Sequence, residues 1–264
     1  MESIPRFIPS IIFTNQVTFQ TFLIIAPESR RTAYQAGLRE SAGRGMMEKS
    51  AIGRTGDTQN PLHKSTCSTD RLTQYLQKNA GEAEAAAYRQ TGIWPKNIQI
   101  PKNNTVLQAD GSIDWTKAPG AGYVLDSDGE PIKKAYVPKQ GEILDRYGPD
   151  NGRFTCPVID GKPFRYEQRS LPYIEDAASY HRYRVTGDFS NIEQYVNDCE
   201  SSLLKQKIDA YVTRWYDGDY SQLLIYSGEI AGIDGWGVGG GIQYELPMPV
   251  DWFVELGLLE EIIM

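Results

Sequence analysis

The sequence contains few of the residues that build metal centres and disulfide scaffolds. Its 264 residues include three cysteines and two histidines. Cys67, Cys156 and Cys199 lack metal-ligand spacing, and His63 and His181 lie far apart in the chain. Three cysteines allow at most one disulfide. We therefore expect no metal site and no disulfide framework.

A basic excess and a long apolar run are also absent. The net charge is -7 and the pI is near 5.0, which argues against a nucleic-acid partner because such proteins present a basic face. The most apolar stretch, residues 8–26, is interrupted by Asn15, Gln16 and Gln20. It is too polar for a membrane span, and it does not form a clear signal peptide. We expect no membrane span.

Composition divides the chain into two parts. Residues 27–70 are rich in Ser, Thr, Gly and Arg and show no sustained period, so residues 1–69 are predicted to be a disordered leader or linker. Residues 70–264 are predicted to form the folded domain. Apolar spacing over residues 70–89 predicts one or two short helices at its start.

The folded part is predicted to be α+β, with a β-rich core of antiparallel strands, short peripheral helices and one longer inserted helix. Turn pairs such as Asp110-Gly111 and Asp128-Gly129 separate short extended runs after residue 95. Residues 190–211 keep helical spacing of apolar residues, and Ser190 with Glu193 forms a capping-box pattern. They are predicted to form one helix of about five turns.

Residues 141–183 concentrate positive charge and aromatic rings. This stretch contains five arginines and seven aromatic residues, with many turn residues between them. Guanidinium groups match phosphate oxygens in pairs, and aromatic faces stack on heterocycles. The composition predicts an anionic ligand that carries a flat ring.

Residues 235–241 contain five glycines in seven positions. Such a loop allows the backbone to approach a ligand closely, although a mobile turn explains it equally well. It has neither the Rossmann spacing nor the lysine of a P-loop. Taken alone, the loop does not identify a function.

Six short motifs in a fixed order give a more specific indication. They are Asp145-Arg146-Tyr147-Gly148, Gly152-Arg153-Phe154, Gln168-Arg169-Ser170-Leu171-Pro172, Tyr180-His181-Arg182-Tyr183, Gly228-Glu229-Ile230-Ala231 and Gly239-Gly240-Gly241-Ile242-Gln243-Tyr244. This order resembles the tuberculosis necrotizing toxin (TNT) family of NAD glycohydrolases, which includes bacterial toxin domains and fungal surface NADases. The resemblance covers about residues 100–264.

The resemblance implies a catalytic set of four residues. Arg146 and Arg169 match arginines that hold the phosphates and ribose of the substrate. His181 matches a histidine linked to activity in the toxin branch, and Gln243 matches the central catalytic glutamine.

It also implies substrate contacts. Tyr147 and Phe154 match aromatic positions that flank the nicotinamide, and Gly241 lies in the glycine loop beside the substrate. Some relatives have tyrosine at the position of Phe154. If a carboxylate stabilises the ribosyl cation, Glu167 and Glu229 are the candidates, and the sequence does not choose between them.

Besides phenylalanine at position 154, where some relatives have tyrosine, this chain departs from the family pattern by an insertion. The family usually passes from the histidine strand to the Gly-Glu-Ile strand by a short link, whereas this chain has an additional helical segment over about residues 187–222. That segment is expected to reshape a lid or to carry a partner surface.

The predicted activity is cleavage of NAD to nicotinamide and ADP-ribose, by a toxin that is secreted or delivered to a target cell or by a surface enzyme. ADP-ribosyl transfer or cyclisation is the alternative enzymatic function, and a non-catalytic nucleotide-binding module is the third possibility. NAD or NADP is expected as substrate, with no cofactor. The toxin interpretation also implies an immunity or inhibitor protein as a partner.

Overall fold

A seven-stranded antiparallel sheet forms the centre of the protein. The computed structural model describes residues 61–96 and 98–263. The strands are β1 (Lys133–Tyr136), β2 (Ile143–Tyr147), β3 (Phe154–Pro157), β4 (Tyr180–Val185), β5 (Ile225–Glu229), β6 (Ile242–Glu245) and β7 (Leu259–Glu261). Their order across the sheet is β1-β5-β6-β3-β2-β4-β7, and all neighbours pair antiparallel.

Five α-helices accompany the sheet within the described part of the chain. They are α1 (Thr69–Asn79), α2 (Glu82–Thr91), α3 (Ile192–Asn197), α4 (Ser202–Trp215) and α5 (Val250–Glu255). Helices α1 and α2 confirm the prediction of one or two short helices near the start of the folded part. The α+β class with an antiparallel core and an inserted helix of greater length, α4, is also confirmed.

The single helix predicted over residues 190–211 is wrong. The chain leaves the helix at Asp198 and starts again at Ser201, whose side chain accepts a hydrogen bond from the Leu204 backbone N–H and so caps α4. The interruption changes the buried positions: Leu203 is 57% exposed, whereas Leu204 is 2% exposed. The predicted capping box is absent as well, because Ser190 donates its hydroxyl to Asp188.

The main hydrophobic core lies between the sheet and the helices α3, α4 and α5. Strand residues such as Leu144 and Tyr183 pack there against Ile208 of α4 and Phe253 of α5. Two smaller clusters lie around α1 and α2 and beneath Trp236. The inserted segment is therefore a part of the main core.

Residues 1–60 of the predicted leader lie outside the described residues. Within residues 61–69, Pro61–Lys64 is a 3₁₀ helix, and the backbone N–H of Thr66 donates to the carbonyl of Lys102. The boundary between leader and domain stays a prediction. No helix in the described part of the chain is both long enough and apolar enough to span a membrane.

Candidate active site

The sheet separates the predicted site residues onto two faces. Side chains alternate between the faces along each strand, and directly paired residues share a face. Asp145 pairs with Cys156, and Phe154 pairs with Glu245. We call the face that carries Asp145, Tyr147, Phe154, Gln243 and Glu245 the front face.

The opposite, rear face carries Arg146 and His181, which pair directly across β2 and β4. It also carries Tyr183 and Tyr244, which belong to the main core. Arg146 and His181 thus project from the side of the sheet opposite to Gln243. Sequence spacing alone could not reveal this separation, because it depends on the register of the strands.

Arg169 forms a buried ion pair at the centre of the front face. Its two terminal nitrogens donate to the two carboxylate oxygens of Asp145, at 2.6 and 2.8 Å. The Tyr180 hydroxyl donates to the same carboxylate at 2.8 Å, and the Phe164 carbonyl accepts from Arg169 Nε at 3.2 Å. Burial by itself would lower the pKa of Arg169, but the interactions with Cys156 and with the Asp145 carboxylate outweigh burial and raise the pKa of Arg169. The guanidinium fork is thus committed to the protein itself.

Tyr147 lies on this ion pair. The guanidinium carbon of Arg169 is 5.2 Å from the centre of the Tyr147 ring, which is within the range of a cation–π contact. The Tyr147 hydroxyl donates to Glu175 at 3.0 Å, and burial with this bond raises its pKa to about 12. Its ring also meets Tyr166 edge to face, with 4.8 Å between the ring centres. Tyr147 is therefore held rigidly.

Phe154 is the exposed aromatic residue of the front face. It begins β3, and 36% of its surface is accessible. Its partner across the sheet is Glu245 at the end of β6. An exposed ring on a rigid strand is suited to stack on a flat ligand.

Gln243 is nearly buried and is held in one orientation. Its side-chain nitrogen donates to the Ala121 carbonyl at 3.0 Å, and its side chain is 9% exposed. Ala121 lies in the turn Pro119–Gly122 and has a φ of 60°, in the left-handed region that non-glycine residues seldom adopt. A carboxamide held by one N–H can still accept a hydrogen bond through its oxygen.

The glycine loop packs on protein backbone. A Cβ at Gly241 would lie 2.8 Å from the carbonyl oxygen of Gln168, and one at Gly237 would overlap the carbonyl oxygen of Glu167. The Gly241 N–H donates to the Gln168 carbonyl at 3.1 Å. These glycines allow the loop to press against the turn Tyr166–Arg169, which carries Arg169. The contact positions Gln243 relative to Arg169.

We expect Gly241→Ala to disturb this contact. The added methyl group requires the Gln168 carbonyl to move, which should lower the free energy of unfolding by about 2 kcal/mol and reduce any activity that needs Gln243. Gly240→Ala measures backbone strain without a clash, because its methyl group meets nothing within 4 Å but its φ is 82°. An unchanged free energy of unfolding in Gly241→Ala, measured by chemical denaturation, would show that the close packing has no role.

On the rear face, Arg146 is buried beneath the turn that precedes β3. Its Nη1 donates to the Phe154 carbonyl at 3.2 Å, and a Cβ at Gly152 would overlap its guanidinium. Desolvation lowers its pKa, an effect that Tyr183, Asp150 and Asp251 oppose. Arg146 therefore supports the backbone of Phe154 from behind the sheet.

His181 lies at the border of the rear face, where its Nδ1 is 2.8 Å from a carboxylate oxygen of Glu261 in β7. Neither His181 nor Glu261 is fully buried. The two predicted catalytic residues Arg146 and His181 are thus neighbours of each other, while Arg169, Tyr147, Phe154 and Gln243 lie on the front face.

Asp251, near Arg146, gives the rear side a dependence on pH. Burial, together with the neighbouring Asp150, raises its pKa to about 6 from an ordinary value of 3.8. Between these two values the folded state holds the proton more strongly than the unfolded state does, so the contribution of Asp251 to stability falls as the pH rises through this window.

We therefore expect Asp251→Asn to gain stability relative to the wild type as the pH increases from about 4 to about 6, and to keep that gain above pH 6. Thermal unfolding across this range measures the difference. A difference that does not vary with pH would contradict the raised pKa.

Both carboxylates that sequence reasoning selected are exposed. Glu229 pairs with Ile242 and therefore projects from the face opposite to Gln243, and Glu167 lies beside Lys102 at 3.6 Å. Sequence reasoning missed Asp145 and Glu245. Period-two alternation from Gln243 would have indicated Glu245, because residues two apart on a strand share a face.

The described residues contain no group of three or more His, Cys, Asp or Glu side chains arranged to hold a metal ion. Cys67, Cys156 and Cys199 are free thiols. One cavity of about 330 Å³ lies at α1, beside Gln74 and Asp110. A second, of about 240 Å³, lies at the edge of the front face beside Arg153 and Glu245.

Comparison with known proteins agrees with the resemblance seen in the sequence. Residues 139–198 match the protein family described as tuberculosis necrotizing toxin. No curated protein matches the sequence. The predicted family resemblance is confirmed for the matched segment, which contains Asp145, Phe154, Arg169 and His181.

Two solved structures are similar at low identity. Tuberculosis necrotizing toxin complexed with its immunity factor IFT is 19% identical, with 80% of this chain and 92% of that chain covered and a TM-score of 0.34. Rhs1-CT in complex with its cognate immunity protein RhsI1 is 15% identical, with 51% of this chain and 80% of that chain covered and a TM-score of 0.29.

Proposed function

We propose that this chain, whose residues 139–198 match the tuberculosis necrotizing toxin family, is an NAD glycohydrolase. It cleaves the bond between nicotinamide and ribose and releases nicotinamide and ADP-ribose. The observation that carries the proposal is the presence of Gln243, Arg169, Tyr147 and Phe154 on one face of the sheet within a chain that matches this family. NAD and NADP share the bond that breaks.

The reaction makes modest chemical demands. The bonding electrons leave with nicotinamide, which departs as a neutral pyridine and therefore needs no proton. The ribose becomes an oxocarbenium-like cation, a water oxygen bonds to its C1′ carbon, and the proton of that water passes to solvent or to a nearby base. An enzyme for this reaction must orient the ring, stabilise the cation and admit water.

Gln243 is the catalytic residue in this proposal. An amide is neither an acid nor a base at neutral pH, but it can accept and donate hydrogen bonds. Because the Ala121 carbonyl fixes its nitrogen, its oxygen is available to a ribose hydroxyl or to the attacking water. Such preorganised groups contribute most when they need not move during the reaction.

Phe154 and Tyr147 flank the nicotinamide in this proposal. Phe154 offers an exposed ring, and Tyr147 is held in place by Glu175 and Arg169. The Asp145 carboxylate neutralises the positive charge of its partner Arg169. We therefore assign Arg169 to orienting Tyr147, and we place the phosphates of the substrate elsewhere.

Arg146 and His181 have positioning roles in this proposal. Arg146 reaches the Phe154 carbonyl from the rear face, so its loss should displace the Phe154 ring. His181 links β4 to Glu261 of β7. Neither side chain needs to touch the substrate to influence turnover.

The biological setting follows from the chemistry. An enzyme that depletes NAD harms the cell that makes it, so we propose that the protein acts on a target cell after delivery and that an immunity protein blocks it in the producer. The two solved structures named above are each bound to an immunity protein. Production of the active protein should then require co-expression of that partner.

Product analysis tests the proposed activity. Purified protein is incubated with NAD, and free nicotinamide and ADP-ribose are separated by chromatography. We expect the two products in a 1:1 ratio. Nicotinamide accompanied by cyclic or protein-linked ADP-ribose would indicate cyclisation or transfer, and the absence of any product would contradict the proposal.

A further inference from the structure

The cavity of about 240 Å³ at the edge of the front face is built by the inserted segment. We call it the insertion cleft. Its lining includes Arg153, Tyr226 and Glu245 from the sheet side, Tyr216 and Ser221 from the inserted segment, and Leu224 just before β5. Without residues 187–222, one wall of this cleft would be missing.

The insertion cleft adjoins the candidate active site. Glu245 in the cleft is the direct cross-strand partner of Phe154. Arg153 precedes Phe154, and its guanidinium carbon is 5.9 Å from the centre of the Phe154 ring. A ligand that stacks on Phe154 can therefore extend into the cleft.

The charges at the cleft favour an anionic group. Glu245 accepts from Arg153 Nη2 at 3.1 Å and, from outside the lining, from Lys133 Nζ at 2.7 Å, so two cations share one carboxylate. Arg153 also keeps 21% of its side chain exposed, whereas Arg169 keeps 3%. Asp219, also outside the lining, accepts from the Ser221 hydroxyl at 2.6 Å, but it is exposed, so solvent screens its charge more strongly than those of the partly buried groups, and the charge balance at Arg153 is positive.

The cleft also has flat and apolar walls. The Tyr216 hydroxyl donates to the Pro247 carbonyl at 3.1 Å, which fixes the ring. The Lys133 ammonium lies 4.6 Å from the centre of the Tyr226 ring, and Leu224 is 44% exposed between these residues. Rigid aromatic rings beside an arginine suit a nucleobase that carries phosphates.

We propose that the insertion cleft binds the adenosine diphosphate half of the dinucleotide, with Arg153 directed to the phosphates and Tyr216, Tyr226 and Leu224 against the adenine. The choice of ligand rests on the proposed function. The inserted segment then contributes to the affinity for the substrate. A chain with a short link in place of residues 187–222 would bind the adenosine diphosphate half differently.

Binding of ADP, measured by titration calorimetry, tests the proposal independently of turnover. We expect the wild type to bind ADP and Leu224→Trp, which fills the cleft, to bind it about tenfold more weakly. The same variant should raise KM for NAD about tenfold while changing kcat less, because uniform binding is lost. Adenosine, which lacks phosphates, should bind the wild type more weakly than ADP.

Ile93→Trp is the matched control, because Ile93 is 71% exposed and follows α2, away from the cleft. It should leave ADP binding unchanged. If Leu224→Trp does not fold, Ser221→Phe fills the cleft from the other wall and should weaken ADP equally. Undiminished ADP binding in a folded filling variant, or no ADP binding by the wild type, overturns the proposal. If the filling variant weakens ADP binding but the wild type does not hydrolyse NAD, the proposed ADP site stands and the proposed glycohydrolase activity is contradicted.

Discussion

Replacing Gln243 with alanine should lower kcat for NAD hydrolysis about 100- to 1000-fold, which corresponds to about 3 to 4 kcal/mol of transition-state stabilisation. The physical reason is the loss of an oriented amide beside the ribose. KM should change less than kcat, because the interaction is strongest when the ribose becomes a cation. Steady-state kinetics with chromatographic detection of nicotinamide measures both parameters.

Two further variants define the role of Gln243. Gln243→Glu keeps the shape of the side chain but cannot donate from its carboxylate to the Ala121 carbonyl, so it should also lose activity. Gln194→Ala, at an exposed position on α3, should retain full activity. A Gln243→Ala protein with unchanged kcat would remove this residue from the chemistry.

Replacing Asp145 with asparagine should lower the free energy of unfolding by about 3 to 5 kcal/mol, because it leaves Arg169 charged and buried without a carboxylate. For a domain of this size the melting temperature should fall by about 10 °C. Thermal and chemical denaturation measure the loss. Binding of the substrate should weaken as well, since Tyr147 lies on the same ion pair.

The pair Arg184 and Glu260 is the control for this experiment. Its atoms are 3.1 Å apart, but both side chains are about half exposed, so Glu260→Ala should cost less than about 1 kcal/mol. A double variant, Asp145→Asn with Arg169→Gln, should lose less stability than the sum of the two single variants. Additive losses would show that the two residues do not act as a pair.

The sequence by itself determined the chemistry of the residues and much of the local structure. Turn residues and apolar periodicity predicted an antiparallel core with short helices, because these signals are local. The order of six motifs indicated the family. It selected four residues as catalytic and three as substrate contacts: Arg146, Arg169, His181 and Gln243, and Tyr147, Phe154 and Gly241. Local signals failed between Asp198, where the first helix ends, and Ser201, which caps the start of the second helix.

Only the tertiary structure decided which of these residues share a face of the sheet. The register of β2 against β4 places Arg146 and His181 on the rear face, and a one-residue change in register would reverse that assignment. The partner of Arg169 is 24 residues away at Asp145, and the partner of Gln243 is 122 residues away at Ala121. Pairings over such distances depend on how the chain folds back on itself. Residue identity and spacing therefore give the components of the site, while strand register and long-range packing give their arrangement.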